Sequence, residues 1–357
     1  MKKLLLFLVS LTLVGTLSAV ACAPSGGAGD DGDGAVAVEY EWRCADFYTE
    51  GSDAGLTVER FCDILNGLSG GRINVDYYGS GVLGSYEETF DACSRGELEF
   101  CMISPYSSYH ELLNLKGMPF AGTTFDKADQ IFMGDGIVRQ MVNDAWNELG
   151  LEHMLTIDGG FYCYCQKDAP IVSPADMAGK KYRVPPADVY VEVFERAAPD
   201  AVGQVLPWAE YYSALERGVV DGGPAFMNSY EPMKFVEVAP YYTDVNQNYN
   251  FDDVLMNKEL YDSLPTDIQG IIDEAARVAE HYGRSSCRAG YAASEQRCID
   301  GGATFTHLTD EQRQVFIDAV KPTELWEDLY KDLLEKYYPG ENMFDKMVAE
   351  IARVEGW

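Results

Sequence analysis

Arg183 has the setting that most invites a chemical reading. Lys181-Tyr182-Arg183-Val184 is a short strand-like run that stops at Pro185-Pro186, in a chain with 58 acidic residues against 27 basic ones. An arginine placed there either closes a structural ion pair or anchors an anion, and its position alone leaves both readings open. Its planar fork can send two parallel hydrogen bonds to one carboxylate, each charge-assisted bond contributing on the order of 1.5–3 kcal/mol. Groupings for turnover are harder to find. His110, His153, His281 and His307 are scattered, and no HExxH, GxSxG or GxxxxGK[ST] arrangement occurs, so an enzyme is not expected. Nine cysteines include no CxxC, and Cys163-Tyr164-Cys165 has no nearby histidine. Scattered cysteines in apolar contexts read as small buried hydrophobes, so neither a metal nor a cofactor is expected. Cys287 and Cys298 would stand roughly 16 Å apart on a helix, too far to bridge each other, and the other pairings stay open.

Charge and the leader narrow the function classes. With 357 residues, 47% of them hydrophobic, the chain can bury the cores of about two domains. A formal net charge of −31 makes nucleic acid and anionic lipid poor partners for the surface, and an anionic ligand would need a locally positive pocket. Lys2 and Lys3, an apolar run from Leu4 to Val20 and the small residues before Cys22 form a secretory signal over residues 1–21. Ala19-Val20-Ala21-Cys22 resembles a bacterial lipobox, with Ala19 where Leu is commoner. The expectation is cleavage before Cys22 and lipidation of that residue, with a soluble exported protein as the alternative. Residues 22–38, small, Gly-rich and acidic, read as a flexible tether. Loss of the two lysines takes the net charge to about −33. No later stretch holds the 18 or so uninterrupted apolar residues of a membrane span.

The elements that must position Arg183 alternate. Glu39–Tyr48 reads as a strand, Leu56–Leu68 as a helix stopped by Gly70-Gly71, and Arg72–Tyr78 as a strand with Ile73, Val75 and Tyr77 on one face. Ser85 and Glu88 form a capping box for a helix ending near Gly96, and Leu98–Ile103 is an apolar strand. The pattern resumes with strands over His153–Ile157, Phe161–Gln166, Lys181–Val184 and Val202–Leu206, and with helices over Val189–Ala197 and Trp208–Arg217. Such an order argues for α/β layers with a largely parallel sheet, occurring twice. After Asn250 the chain reads as helical. Thr266 and Gln269 form a further capping box, opening a helix that runs toward Ile299 with a break expected at Gly283 or Gly290. At 1.5 Å per residue it would span roughly 50 Å, longer than one small domain, and so would tie two domains together. Thr309 and Gln312 cap one more helix, and Trp326, Leu329, Tyr330 and Leu333 mark a last one.

Several of these segments resemble the receptor subunits of tripartite ATP-independent periplasmic (TRAP) transporters, the dicarboxylate-receptor-like family. They are Gly79–Gly96, Met118-Pro119-Phe120, Ser173-Pro174-Ala175-Asp176-Met177 with Gly179 and Arg183-Val184-Pro185, then Leu206–Tyr212 with Ala214-Leu215 and Gly218–Gly222. Each piece is weak alone; in this order and spacing they are specific, and the similarity covers nearly the whole mature chain. The resemblance implies a two-lobed α/β fold of the periplasmic-binding-protein type, each lobe a mixed, mainly parallel sheet flanked by helices, with a long hinge-spanning helix. The lobes are expected at 39–159 with 248–285 and at 160–247 with 286–320, followed by C-terminal helices over 321–357. It implies that Arg183 anchors a ligand carboxylate, and that the partners are a small carboxylate, a small and a large integral membrane subunit, and the membrane through the lipid anchor at Cys22. Two departures stand out: the ungapped position of a second arginine used by some members is Cys163, and Gly222–Phe226 replaces a frequent acidic and Asn pair. Both point to a less polar pocket, for a ligand with one carboxylate and an apolar or aromatic body.

Ligands of open α/β sheets bind beyond the carboxyl ends of strands, which favours Phe47, Tyr48, Tyr106, Phe161, Tyr162, Trp208, Phe226 and Asn228, with Gln166 and Asn250 as polar candidates. Any one of these aromatics equally fits core or surface packing in a chain with 23 tyrosines. Two rival receptor classes share the two-lobed design, namely a receptor for an ATP-driven importer and a sensory solute-binding protein. The Ser-Pro-Ala-Asp and Asp-Gly motifs favour the TRAP type.

Overall fold

In the computed structural model, which describes residues 37–357, the extended segments gather into two mixed sheets flanked by helices. The strands are β1 (Tyr40–Ala45), β2 (Ile73–Tyr78), β3 (Phe100–Ile103), β4 (Leu151–Phe161), β5 (Cys163–Gln166), β6 (Lys181–Val184), β7 (Val202–Val205), β8 (Gly222–Ala225), β9 (Tyr241–Thr243), β10 (Tyr249–Asn257) and β11 (Thr304–Thr306). Sheet one has the order β2-β1-β3-β10-β4, and sheet two the order β11-β9-β5-β8-β6-β7. Each sheet supports one lobe.

Local chemistry explains the first crossover. Ser52 caps the helix Asp53–Leu68 by accepting from the Gly55 amide, and Val58, Phe61 and Leu65 at helical spacing are buried. That helix returns the chain so that β1 pairs parallel with β2, Trp42 opposite Val75. The capping boxes at Ser85/Glu88 and Thr309/Gln312 form as expected. The one expected at Thr266 does not: Pro265 is the N-cap residue, and no side chain caps the helix there.

Two further readings of the sequence are overturned. The chain after Asn250 is not helical at first; β10 runs to Asn257 and lies antiparallel between β3 and β4. Its two internal aspartates hide the apolar strand signal, and both are buried and paired, Asp252 with Lys116 at 2.9 Å and Asp253 with Arg139 at 3.0 Å. The long helix also lacks a break, running unbroken from Thr266 to Asp300. Gly283 and Gly290 instead allow close packing on the first helix. A Cβ at Gly283 would lie 2.5 Å from the Thr57 side chain, and one at Gly290 2.6 Å from Asp53 Oδ2.

Besides the long helix, which leads from β10 in sheet one to β11 in sheet two, the chain crosses between the sheets at two adjacent places. One is Tyr162, between β4 and β5, and the other is the segment from β9 to β10. They hold each other: the Tyr162 amide donates to the Asn248 carbonyl at 2.8 Å and the Gln247 amide to the Tyr162 carbonyl at 2.9 Å. The long helix braces this region from one side, with Arg288 reaching Asp129 at 2.7 Å and Asp158 at 3.4 Å. No helix among the described residues is long and apolar enough to cross a membrane.

Candidate functional site

β6 pairs parallel with β7, bringing Arg183 opposite Gln204 just before the Pro185-Pro186 stop. The side chain is only 3% exposed. Its Nε donates to the Leu206 carbonyl at 3.1 Å, and its guanidinium carbon lies 5.3 Å from the Trp208 ring and 5.4 Å from that of Tyr211. Nη1 is buried with no hydrogen-bond partner among the described residues. Arg139 and Arg284 also leave a buried nitrogen unpaired, but each has a carboxylate partner, and Arg183 has none among the described residues. Such an orphan on a charged group costs its desolvation without return. Gly223 makes room for the arrangement, since a Cβ there would sit 2.6 Å from the Tyr211 hydroxyl and 2.9 Å from the Arg183 carbonyl.

Aromatic rings surround the guanidinium. Trp208 and Phe226 stack with centroids 5.2 Å apart and planes 10° from parallel, and Tyr162 meets Phe226 edge-on at 5.2 Å and Tyr190 at 5.5 Å. Burial pushes the Tyr162 hydroxyl well above the usual tyrosine range, and the neighbouring Arg183 charge works against that rise. Tyr190 was not expected from the sequence; its only signal is its place in the first turn of the helix after Pro185-Pro186.

The opposite wall comes from the carboxyl ends of β1 and β3 and from β10. Tyr48 donates its hydroxyl to Asp252, whose other oxygen takes the Lys116 ammonium at 2.9 Å; Lys116 also donates to Ser104. The exposed Tyr106 ring lies 5.5 Å from the same ammonium. Asp46, almost fully buried, accepts from the Tyr48 amide at 2.8 Å and from the Tyr77 hydroxyl at 2.8 Å. Burial outweighs those bonds and raises its pKa to about 6. The two walls are close enough for the Asp252 carboxylate to push the Tyr162 hydroxyl further up. Neither Lys116 nor Asp252 was expected, for nothing in sequence marks a lysine in a short apolar turn or an aspartate in a hidden strand.

Of the residues expected from sequence, Arg183, Tyr162, Trp208 and Phe226 come together on one wall and Tyr48 and Tyr106 on the other. Phe47, half exposed, stacks on Tyr86 at 4.2 Å. Asn228 lies in the helical turn directly after Phe226. Three others are placed elsewhere. Phe161 packs on Phe125 and Tyr249 and lines a separate cavity of about 190 Å³ with Tyr291 and His307. Gln166 spends its amide on the Ala169 carbonyl at 2.5 Å and accepts from the Tyr182 hydroxyl. Asn250 packs against Gly159 in the β4–β10 ladder. Cys163 gives its thiol to Asn246 at 3.3 Å, and Cys22 lies outside the described residues. The larger groove of about 560 Å³, between Phe194 and Val202 at the β7 edge, contains none of the groups on these two walls.

The description "Bacterial extracellular solute-binding protein, family 7" matches residues 44–332. The chain belongs to this family. It is a TRAP solute receptor, and its fold matches those of solved TRAP receptors. A TRAP periplasmic solute-binding protein from Ochrobactrum anthropi, whose C-terminus is bound in the ligand-binding pocket, superimposes with a TM-score of 0.80 at 27% identity, over 89% of this chain and 97% of that one. Another from Sulfurospirillum deleyianum, with bound succinate, gives a TM-score of 0.71 at 25% identity over 88% and 99%. A solute-binding protein of Chromohalobacter salexigens is 25% identical across 76% of this chain and 80% of its own length. Receptors of this family are extracytoplasmic, and in TRAP systems they serve membrane subunits.

Proposed function

We propose that this TRAP receptor captures a small monocarboxylate with an apolar or aromatic body, closes its lobes around it and delivers it to the membrane subunits. The buried, unpartnered Nη1 of Arg183 carries the proposal. In a chain of net charge −31, a buried guanidinium with no carboxylate partner among the described residues is reserved for one that arrives. The fork then fixes the carboxylate's orientation, which the point charge of a lysine does not. Trp208, Phe226, Tyr162 and Tyr190 offer π-faces and edges for the rest of the molecule. Closure buries the ligand's charge, tolerable only because it is paired and hydrogen-bonded. Lipidation at Cys22, with residues 22–38 as tether, would hold the receptor at the membrane where its partners reside.

Calorimetric titration of the purified receptor with mono- and dicarboxylates, aromatic ones included, tests this. Arg183→Ala is expected to weaken binding of the best monocarboxylate by about 100-fold or more, and Arg183→Lys by about tenfold through loss of the fork. Undiminished affinity in Arg183→Ala sinks the proposal.

A further inference from the structure

The wall facing Arg183 carries a cation that is already spoken for. Lys116 is buried, and its ammonium lies on Asp252 Oδ1 at 2.9 Å and on the Ser104 hydroxyl. Asp252 is equally enclosed, its second oxygen taken by the Tyr48 hydroxyl. The pair is therefore closed and carries no net charge, although it stands at the carboxyl ends of β1 and β3, where this fold presents groups to a ligand. A second carboxylate reaching this wall from a ligand held at Arg183 would lose its hydration, meet the Asp252 charge and find the lysine occupied. Asp46, close by in the same wall, adds acid rather than base.

We propose that Asp252 sets the charge selectivity of the receptor: by neutralising Lys116 it makes the site a monocarboxylate site, and without it the same lysine would recruit a second carboxylate. This rests on the assignment of Arg183 as the first anchor. Lys116 is thus a latent second anchor, and Asp252 the residue that silences it. An amide in place of Asp252 keeps an oxygen for the Tyr48 hydroxyl and takes away the countercharge, leaving a buried ammonium in need of an anion.

The experiment compares chain-matched probes, pentanoate with glutarate and benzoate with terephthalate, on the wild-type receptor and on Asp252→Asn. Wild type is expected to bind each monocarboxylate at least about tenfold more tightly than its dicarboxylate partner, and Asp252→Asn to improve dicarboxylate affinity about tenfold or more. The double variant Lys116→Gln/Asp252→Asn, which removes both charges, is expected to lose that gain. A folded Asp252→Asn protein that still binds a monocarboxylate but gains nothing for its dicarboxylate overturns the inference and leaves the Arg183 assignment standing. Undiminished binding in Arg183→Ala is the separate result that removes the assignment itself. Where Asp252→Asn does not fold unaided, glutarate but not pentanoate is expected to restore its far-UV dichroism, and failure of both overturns the inference. Equal affinity of wild type for the two members of each pair does the same without any variant.

Discussion

Asp46 shows how the environment of a single side chain sets a measurable property. It is buried at the end of β1, and its pKa of about 6 lies above the ordinary aspartate value. Between about pH 4 and pH 6 the folded protein therefore keeps a proton that the unfolded chain has released, so this residue's contribution to stability falls as pH rises through that window. The shift corresponds to about 2–3 kcal/mol. Asp46→Asn is expected to flatten the pH dependence of the urea midpoint between pH 4.5 and 7 and to be the more stable protein at pH 7; parallel pH profiles for the two proteins would refute this. None of it was legible in the sequence, where Asp46 is one acid among 58. Arg183 was singled out there because it stands at a strand end beside two prolines, within an ordered set of motifs. Lys116 was silent for the opposite reason: a buried lysine is defined by partners distant in the chain, Asp252 above all.

Among the elements, those with local signals were read well. The helix Asp53–Leu68, β2 and the two capping boxes at Ser85 and Thr309 follow from residues within a few positions of one another. β10 did not, because Asp252 and Asp253 mask its apolar character and their burial is made tolerable by partners remote in sequence, Lys116 and Tyr48 for the first and Arg139, Trp146, His153 and Thr156 for the second. Asp253 illustrates the balance: burial works to raise its pKa, yet Arg139 and His153 hold it below the usual carboxylate range. The long helix failed differently, since glycine as a breaker and glycine as a packing contact look alike in sequence. The two meanings separate by mutation. Gly283→Ala gains helix propensity but forces a Cβ into Thr57, so a net loss of about 1–3 kcal/mol is expected. Gly270→Ala, on an exposed turn of the same helix with nothing within 4 Å, is expected to gain up to about 1 kcal/mol. Urea midpoints of the two variants check this, and a stabilising Gly283→Ala would mean that the two helices can part there at no cost.

For the whole molecule the governing contrast is an anionic body around Arg183, the buried cation proposed above as the ligand's anchor. The net charge of −31 sets a repulsive field around an approaching carboxylate, while Arg183 attracts it only at close range from a site of low solvent access. Added salt screens the two unequally. The Debye length shrinks from about 30 Å at 0.01 M to about 8 Å at 0.15 M, which removes most of the long-range repulsion between exposed charges and little of the attraction between buried ones. The association rate of a monocarboxylate should therefore rise with ionic strength over that range, whereas its dissociation rate, set by the closed and paired site, should change little. Stopped-flow fluorescence can follow the step if Trp208, in contact with the site, reports occupancy. An association rate that falls with salt would mean that the mouth of the cleft is locally positive. Because Lys116 is already neutralised by Asp252, such a result would point to basic groups outside these two walls as the ones that steer the ligand.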